Sequence, residues 1–245
     1  MYTADIMLVR PIKTRIFLEG ENLPNFIEKY IPKLKDGSVL VVTSKIVALA
    51  EKRTAANDQK TKEKYIKSES QFALPTKWVW LTLKDGFVIA NAGIDESNAD
   101  GKIILLPKDS YTAAAKIRTE MMKRYKIKNL AVILTDSRIW PLRAGVTGVA
   151  LGYAGLKGLK DYRKEVDLFG RGFKFETVSV VDSLAAAAVI TMGEGKECIP
   201  LAVIEGAPVE FAERVKKHEL QIPLEDDIYL PFFGKLPKLK LKRSK

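Results

Sequence analysis

Apolar residues recur along this chain in two rhythms, and the change from one to the other marks out the elements. "GSVLVVTSK" enters from a Gly turn into a Val-rich run, which predicts a strand, and a helix start follows at Ser44. "NLAVILTD" predicts a buried strand, and "GVTGVALGYAGL", "KFETVSVVD" and "IPLAVIEG" predict three more. "DIMLVRPIKTRIF" alternates enough for extended structure, and "KWVWLTL" and "GFVIANA" flank Asp85-Gly86, a hairpin signal. Helical spacing appears in "NLPNFIEKYIPKL", with Asn22 as cap and Pro24 early, and in "SYTAAAKIRTEMMKRYKI", with Ser110 as N-cap. Residues 54–70 are polar and helix-friendly. "SLAAAAVITMGEG" is an Ala-rich helix that must pack closely and ends at Gly193. Helices and strands mix without a regular βαβ beat. That predicts an α+β fold of mixed sheets with packed helices rather than a doubly wound one.

Composition narrows the class. The chain has 245 residues and is 47% hydrophobic, enough for a sizeable core in one large or two small domains. It shows no internal repeat, no long linker and no apolar run long enough to span a membrane. The N-terminal "MYTADIMLVRPIKTR" lacks the charged-then-apolar order of a signal peptide, so a cytoplasmic protein is expected. A single cysteine, Cys198, excludes an intrachain disulfide framework and a cysteine-rich zinc site. The net charge is +11, and the tail from Pro231 holds six basic residues and no acid. Such a tail suits nucleic acid, an anionic surface or plain solvation. Elsewhere the two signs are interspersed, which argues against a dedicated nucleic-acid surface and is compatible with a nucleotide ligand.

Most familiar chemistry is missing. The phosphate-loop pattern is absent, and neither "GEGKEC" nor "GRGFKF" completes a dinucleotide fingerprint. The one histidine, His218, lies in the charged "ERVKKHELQIP", and one His with one Cys gives no basis for a nucleophile–base pair. What remains is oxygen chemistry. Asp95 follows a strand in "IANAGIDESNAD"; Asp136 and Ser137 end another; Glu194 stands between Gly193 and Gly195 at the end of the Ala-rich helix. Carboxylates and hydroxyls are what Mg²⁺ and Mn²⁺ prefer, and two such ions can serve phosphoryl transfer. Acids at strand ends are also ordinary loop residues, so the constellation by itself leaves both readings open.

Seven stretches together resemble the coenzyme F420:L-glutamate ligase family: "GSVLVVTSKIVALAEKR", "ANAGIDESN", "LLPKDSYTAAAKIR", "AVILTDS", "GVALGYAGLKGLKDYRKEVDLFGR", "VDSLAAAAVITMGEG" and "IPLAVIEG". They run in family order over about two-thirds of the chain, from Gly37 to Gly206. The resemblance implies a GTP- or ATP-dependent ligase that uses two Mg²⁺ or Mn²⁺ ions and folds as an intertwined homodimer. It implies a catalytic domain over residues 1–226, of one or two lobes; the basic Pro/Lys-rich tail over 227–245 has no counterpart in the family. By position, Asp95 and Asp136 would hold one metal, and Ser137 and Glu194 the second. Ser44, Lys45 and Asn98 would stand near the nucleotide, and Met192, Gly193 and Gly195 would meet it from a loop running from Met192 to Ile199. Arg143, with Arg163 and Arg171, would meet substrate carboxylate or phosphate, Arg being suited to forked oxyanions; the competing role for each is a structural ion pair. The implied reaction passes the γ-phosphoryl group to an acceptor carboxylate, and L-glutamate's amine then attacks.

The chain also departs from the family pattern. Leu49 stands where the family has Lys. Ser137-Arg138-Ile139-Trp140 replaces Thr-x-Gly-Arg, and "IKTRIFLEG" replaces a Gly-Leu-Pro segment, with Lys13, Thr14 and Arg15 able to compensate. These changes spare the metal ligands and alter the nucleotide and acceptor surroundings, so the expectation is retained phosphoryl chemistry on coenzyme F420-0 or on an altered carboxylated, phosphorylated acceptor. Two other readings follow: a divergent nucleotide- or metal-binding relative without ligase activity, and a basic protein binding nucleic acid through its tail.

Overall fold

The computed structural model describes residues 6–233; the basic residues of the tail, all within 234–245, lie outside them. In chain order the elements are β1 (Leu8–Ile12), α1 (Leu23–Tyr30), β2 (Ser38–Thr43), α2 (Ser44–Ala50), β3 (Thr54–Ala56) and α3 (Gln59–Ser68). Then come β4 (Phe72–Pro75), β5 (Trp80–Lys84), β6 (Phe87–Ala90), β7 (Lys102–Ile104), α4 (Ser110–Tyr125) and β8 (Leu130–Ile139). β9 (Val146–Ala154), β10 (Leu159–Asp161), β11 (Thr177–Ser179), α5 (Val180–Met192) and β12 (Leu201–Glu205) follow. The mixture of helices with mixed sheets is the expected α+β class.

The chain divides into two compact units. The first comprises Met1–Thr54 and Ile104–Lys217, the second Ala55–Ile103 and His218–Lys245. The first is built on a five-stranded sheet in the order β1-β12-β2-β8-β9, in which only β2 and β8 run parallel. One face of that sheet contributes Leu40, Val42, Leu130, Val132 and Leu134 to a core shared with Phe26 and Ile27 of α1, Val47 of α2 and Ala114, Ile117 and Met121 of α4. α5 packs on β9, β1, β8 and β12. Its alanines allow close approach: a Cβ added at Gly148 of β9 would lie 2.5 Å from a Val189 methyl and 2.7 Å from the Ala185 carbonyl oxygen. Gly152 serves α4 in the same way, with the Ser110 carbonyl carbon 2.5 Å from an added Cβ.

The second unit holds the three-stranded sheet β4-β5-β6 and α3. The β5–β6 hairpin turns at Asp85-Gly86, both at positive φ (51° and 80°), as the sequence predicts.

The caps explain where prediction and structure differ. Asn22 caps α1, its side chain accepting from the Asn25 N–H as expected. For α4 the cap is Asp109 rather than Ser110, the Asp109 carboxylate accepting from the Thr112 N–H at 3.0 Å. The strand expected across "KFETVSVVD" stops at Ser179, because Ser179 caps α5 there, its hydroxyl accepting from the Asp182 N–H at 3.4 Å and donating to the Asp182 carboxylate at 2.7 Å. The two-stranded pairings β3–β7 and β10–β11 have strands of three residues each, too short to leave a period in the sequence.

Candidate active site

The parallel pair fixes the site. β2 and β8 pair in register up to Thr43 opposite Thr135, so Ser44 and Lys45 leave β2 beside Asp136 and Ser137. Ligands gather at the carboxyl ends of parallel strands, where loops diverge and helix N-termini point outward. β12 is antiparallel to β2, so its beginning lies at this same end: Leu201 pairs with Val42, and the Thr43 N–H donates to the Pro200 carbonyl. The loop from Gly193 to Pro200 is therefore held here. β1 ends here too, with Ile12 opposite Leu201, and the Thr14 N–H donates to the Cys198 carbonyl at 2.8 Å. One end of the sheet thus gathers Thr14, Ser44, Lys45, Asp136, Ser137 and the 193–200 loop.

Within this end, the predicted pair is joined directly. The Ser137 hydroxyl donates to the Glu194 carboxylate at 2.5 Å, although 57 residues separate them. Both groups offer oxygens of the kind a hard divalent cation takes, and Asp136, adjacent to Ser137 on β8, offers a carboxylate from the opposite face of the strand end. Of the four expected metal ligands these three belong to the first unit; among the described residues no group of three or more His, Cys, Asp or Glu side chains is gathered as a metal site. Asp95 belongs to the second unit, where its carboxylate accepts from the Ser97 N–H at 2.7 Å. That Asx turn follows a short 3-10 stretch over Asn91–Gly93 with Asn91 and Ala92 at φ 52° and 54°; Asn98, also at positive φ, is exposed.

The remaining predicted residues fall in varied settings. Ser44 is buried at the first turn of α2. Met192 is buried as the last residue of α5, and Gly193 follows it at φ 81°. The Gly195 N–H donates to the Glu197 carboxylate at 2.8 Å, so an acidic side chain folds back over the glycine loop. Arg143 is exposed in the turn between β8 and β9, beyond Ile139 opposite Val146. Arg163 forks onto Asp161, which the guanidinium holds far below the ordinary carboxylate range. Arg15 is likewise tied to Glu21. Leu49 packs against the core, and the Trp140 indole N–H donates to the Thr147 hydroxyl across the hairpin.

Residues not singled out from sequence also belong here. Burial pushes the Arg138 guanidinium down from its ordinary value, and the charges of Asp182 and Asp136 partly offset this. Thr43 and Thr135 sit opposite each other where the parallel pair ends. The only sequence signal for either Thr was its place at the end of an apolar run.

The family model for F420-0:Gamma-glutamyl ligase matches residues 64–206. The chain belongs to this ligase family. Coenzyme F420:L-glutamate ligase of Methanococcus maripaludis strain C7 is 35% identical over 230 residues, covering 86% of this chain and 91% of the relative. The protein of the same name from Methanocaldococcus jannaschii is 33% identical over 235 residues, covering 87% and 93%. That from Methanothermobacter thermautotrophicus is 44% identical over 126 residues, about half of each chain. The match to the family model takes in both Asp95 and the Ser137–Glu194 pair. No helix among the described residues is long and apolar enough to cross a membrane.

Proposed function

We propose that this protein joins L-glutamate to coenzyme F420-0, a carboxylated and phosphorylated acceptor, in a reaction driven by GTP or ATP and dependent on Mg²⁺ or Mn²⁺. The observation that carries this reading is the similarity to F420:L-glutamate ligases along nearly the whole of both chains. The direct Ser137–Glu194 contact at the strand ends supports it, because it brings together two distant residues suited to the same cation.

The chemistry has two steps. The acceptor carboxylate attacks the γ-phosphorus, the bond to the β-phosphate oxygen breaks, and the nucleoside diphosphate leaves an acyl phosphate behind. Glutamate's amine then attacks the acyl carbon, the carbon–oxygen bond to phosphate breaks, and the amine loses a proton as the amide forms. Divalent cations, when bound, neutralise charge on the phosphoryl oxygens. Asp136, Ser137 and Glu194 present the oxygens that would hold them, with Asp95 supplying a further carboxylate. Ser44, Lys45 and the Gly193–Gly195 loop would line the nucleotide phosphates, with Asn98 a further nucleotide contact, and a bound phosphate would displace Glu197 from the Gly195 N–H. Arg143 and Arg171 are the guanidiniums for the acceptor's anionic groups. Arg163 acts on the loop itself through its fork onto Asp161.

The working unit in this reading is a homodimer. Leu142 (102% exposed) at the β8–β9 turn and Leu168 (98%) with Phe169 in the loop after β10 present apolar surface that a second copy would cover. The test of function is ligation: purified protein with GTP or ATP, Mn²⁺, F420-0 and L-glutamate should release one nucleoside diphosphate for each glutamyl group added. Nucleotide hydrolysis without glutamylation, or binding without turnover, would point instead to a relative that has lost the ligase reaction.

A further inference from the structure

Three hydroxyls share one face of the sheet at its ligand end. Thr43 closes β2, Thr135 is its partner on β8, and Ser137 follows two residues later, so strand alternation turns all three to the same side. Thr135 is 1% exposed, and its hydroxyl makes no hydrogen bond to any protein group among the described residues. Thr43 holds the cap position of α2, yet its side chain does not cap the helix. Ser137 gives its proton to Glu194, which leaves its oxygen able to accept. The ladder is irregular at this level: β9 carries one extra residue, Leu151, opposite Leu134 and Thr135. Such bulges loosen pairing locally and recur beside functional sites.

Buried hydroxyls are almost always bonded, to protein or to an internal water. Two residues along a strand advance roughly 6.6 Å. That is too far for Thr135 and Ser137 to bond directly; one water with two bonds of about 2.8 Å each spans at most about 5.6 Å, so it joins the two hydroxyls when the side chains lean toward each other. The neighbouring strand is about 4.8 Å away, so the Thr43 hydroxyl is within reach of the same water. We propose that Thr135 is a positioning residue of this site: it holds an internal water, shared with Thr43 and Ser137, that fixes the Ser137 hydroxyl and through it the Glu194 carboxylate. This inference rests on the metal-binding reading of Ser137 and Glu194. Thr135 lies too deep to touch a nucleotide, so it acts only through Ser137.

The test compares Thr135→Val, which keeps the shape and removes the hydroxyl, with Thr135→Ser, which keeps the hydroxyl. Mn²⁺ affinity of the full chain is read by electron paramagnetic resonance, and thermal unfolding is read without metal. Thr135→Val should weaken Mn²⁺ binding about tenfold, as loss of an outer partner does elsewhere, and Thr135→Ser should restore it. Unchanged Mn²⁺ affinity in Thr135→Val overturns the proposal, whatever happens to the melting temperature. An unchanged or raised melting temperature would add that the hydroxyl had no partner to lose. Glu194→Gln separates the two ideas: if it binds Mn²⁺ as wild type does, the metal reading fails instead. The water itself is then decided by a high-resolution crystal structure of the wild type. An ordered water within hydrogen-bond distance of the Thr135 and Ser137 hydroxyls supports it, and its absence overturns it.

Discussion

Glu194 and Ser137 carry the site's most specific contact, and each can be altered without touching the core. Glu194 is exposed and Ser137 only partly buried, so neither Glu194→Gln nor Ser137→Ala removes core packing. Both should leave the melting temperature close to wild type and weaken Mn²⁺ binding at least about tenfold, which calorimetry can measure. Equal affinity in both variants would remove the pair from the metal site. Arg163 gives the opposite expectation. Its guanidinium is spent on Asp161, so Arg163→Ala should act on the loop, whereas Arg171→Ala should raise KM for the acceptor; steady-state kinetics of the two variants separates the roles.

At the scale of elements, packing between helices and strands decides what can change. Gly148→Ala would push a Cβ to 2.5 Å from a Val189 methyl and 2.7 Å from the Ala185 carbonyl, which α5 cannot accommodate without shifting. The expected cost is about 1–3 kcal/mol in denaturant unfolding. The end of α4 offers a pH signature. The Tyr125 hydroxyl donates to the Ile31 carbonyl at the end of α1. Burial, reinforced by the Glu28 charge, pushes Tyr125 from the usual 10.0 up to about 12. A raised folded-state value means the folded protein keeps this proton while the unfolded chain loses it. The stability it contributes is therefore complete below pH 10 and is lost as pH rises toward 12. Tyr125→Phe should be less stable than wild type at neutral pH, and its stability should fall less steeply across that alkaline interval.

The elements themselves were legible wherever the pattern was long. β2, β8, β12, α1, α4 and α5 follow from apolar runs and caps that the sequence displays openly. Three-residue strands such as β3 and β10 were not legible, because three residues carry no period and their pairing is set by tertiary contacts. Asp109, one residue before the expected cap of α4, shows how two adjacent capping residues defeat prediction at element ends. Of the site, the residue types were legible but their convergence was not. Nothing local in "TDS" or "MGEG" says that Ser137 meets Glu194; that follows from β12 running antiparallel to β2, a long-range pairing. Thr43 and Thr135 were hidden for the same reason, since each reads as the β-branched end of an apolar run.

For the whole molecule, the chain divides into two units, with Asp95 and Asn98 on one and Ser44, Lys45, Asp136, Ser137, Arg143 and Glu194 on the other. The family match spans residues from both. The exposed Leu142, Leu168 and Phe169 predict self-association: wild type should sediment as a dimer, and the triple substitution to Asp should sediment as a monomer. The central claim is that this chain is an F420-0 glutamate ligase, and the most direct measurement is mass spectrometry of F420-0 after incubation with the protein, L-glutamate, GTP or ATP, and Mn²⁺. The account predicts an added glutamyl group matched by nucleoside diphosphate release, and loss of both in Asp136→Asn. Unmodified F420-0 with either nucleotide, under conditions where a known F420:L-glutamate ligase converts it, would contradict the account.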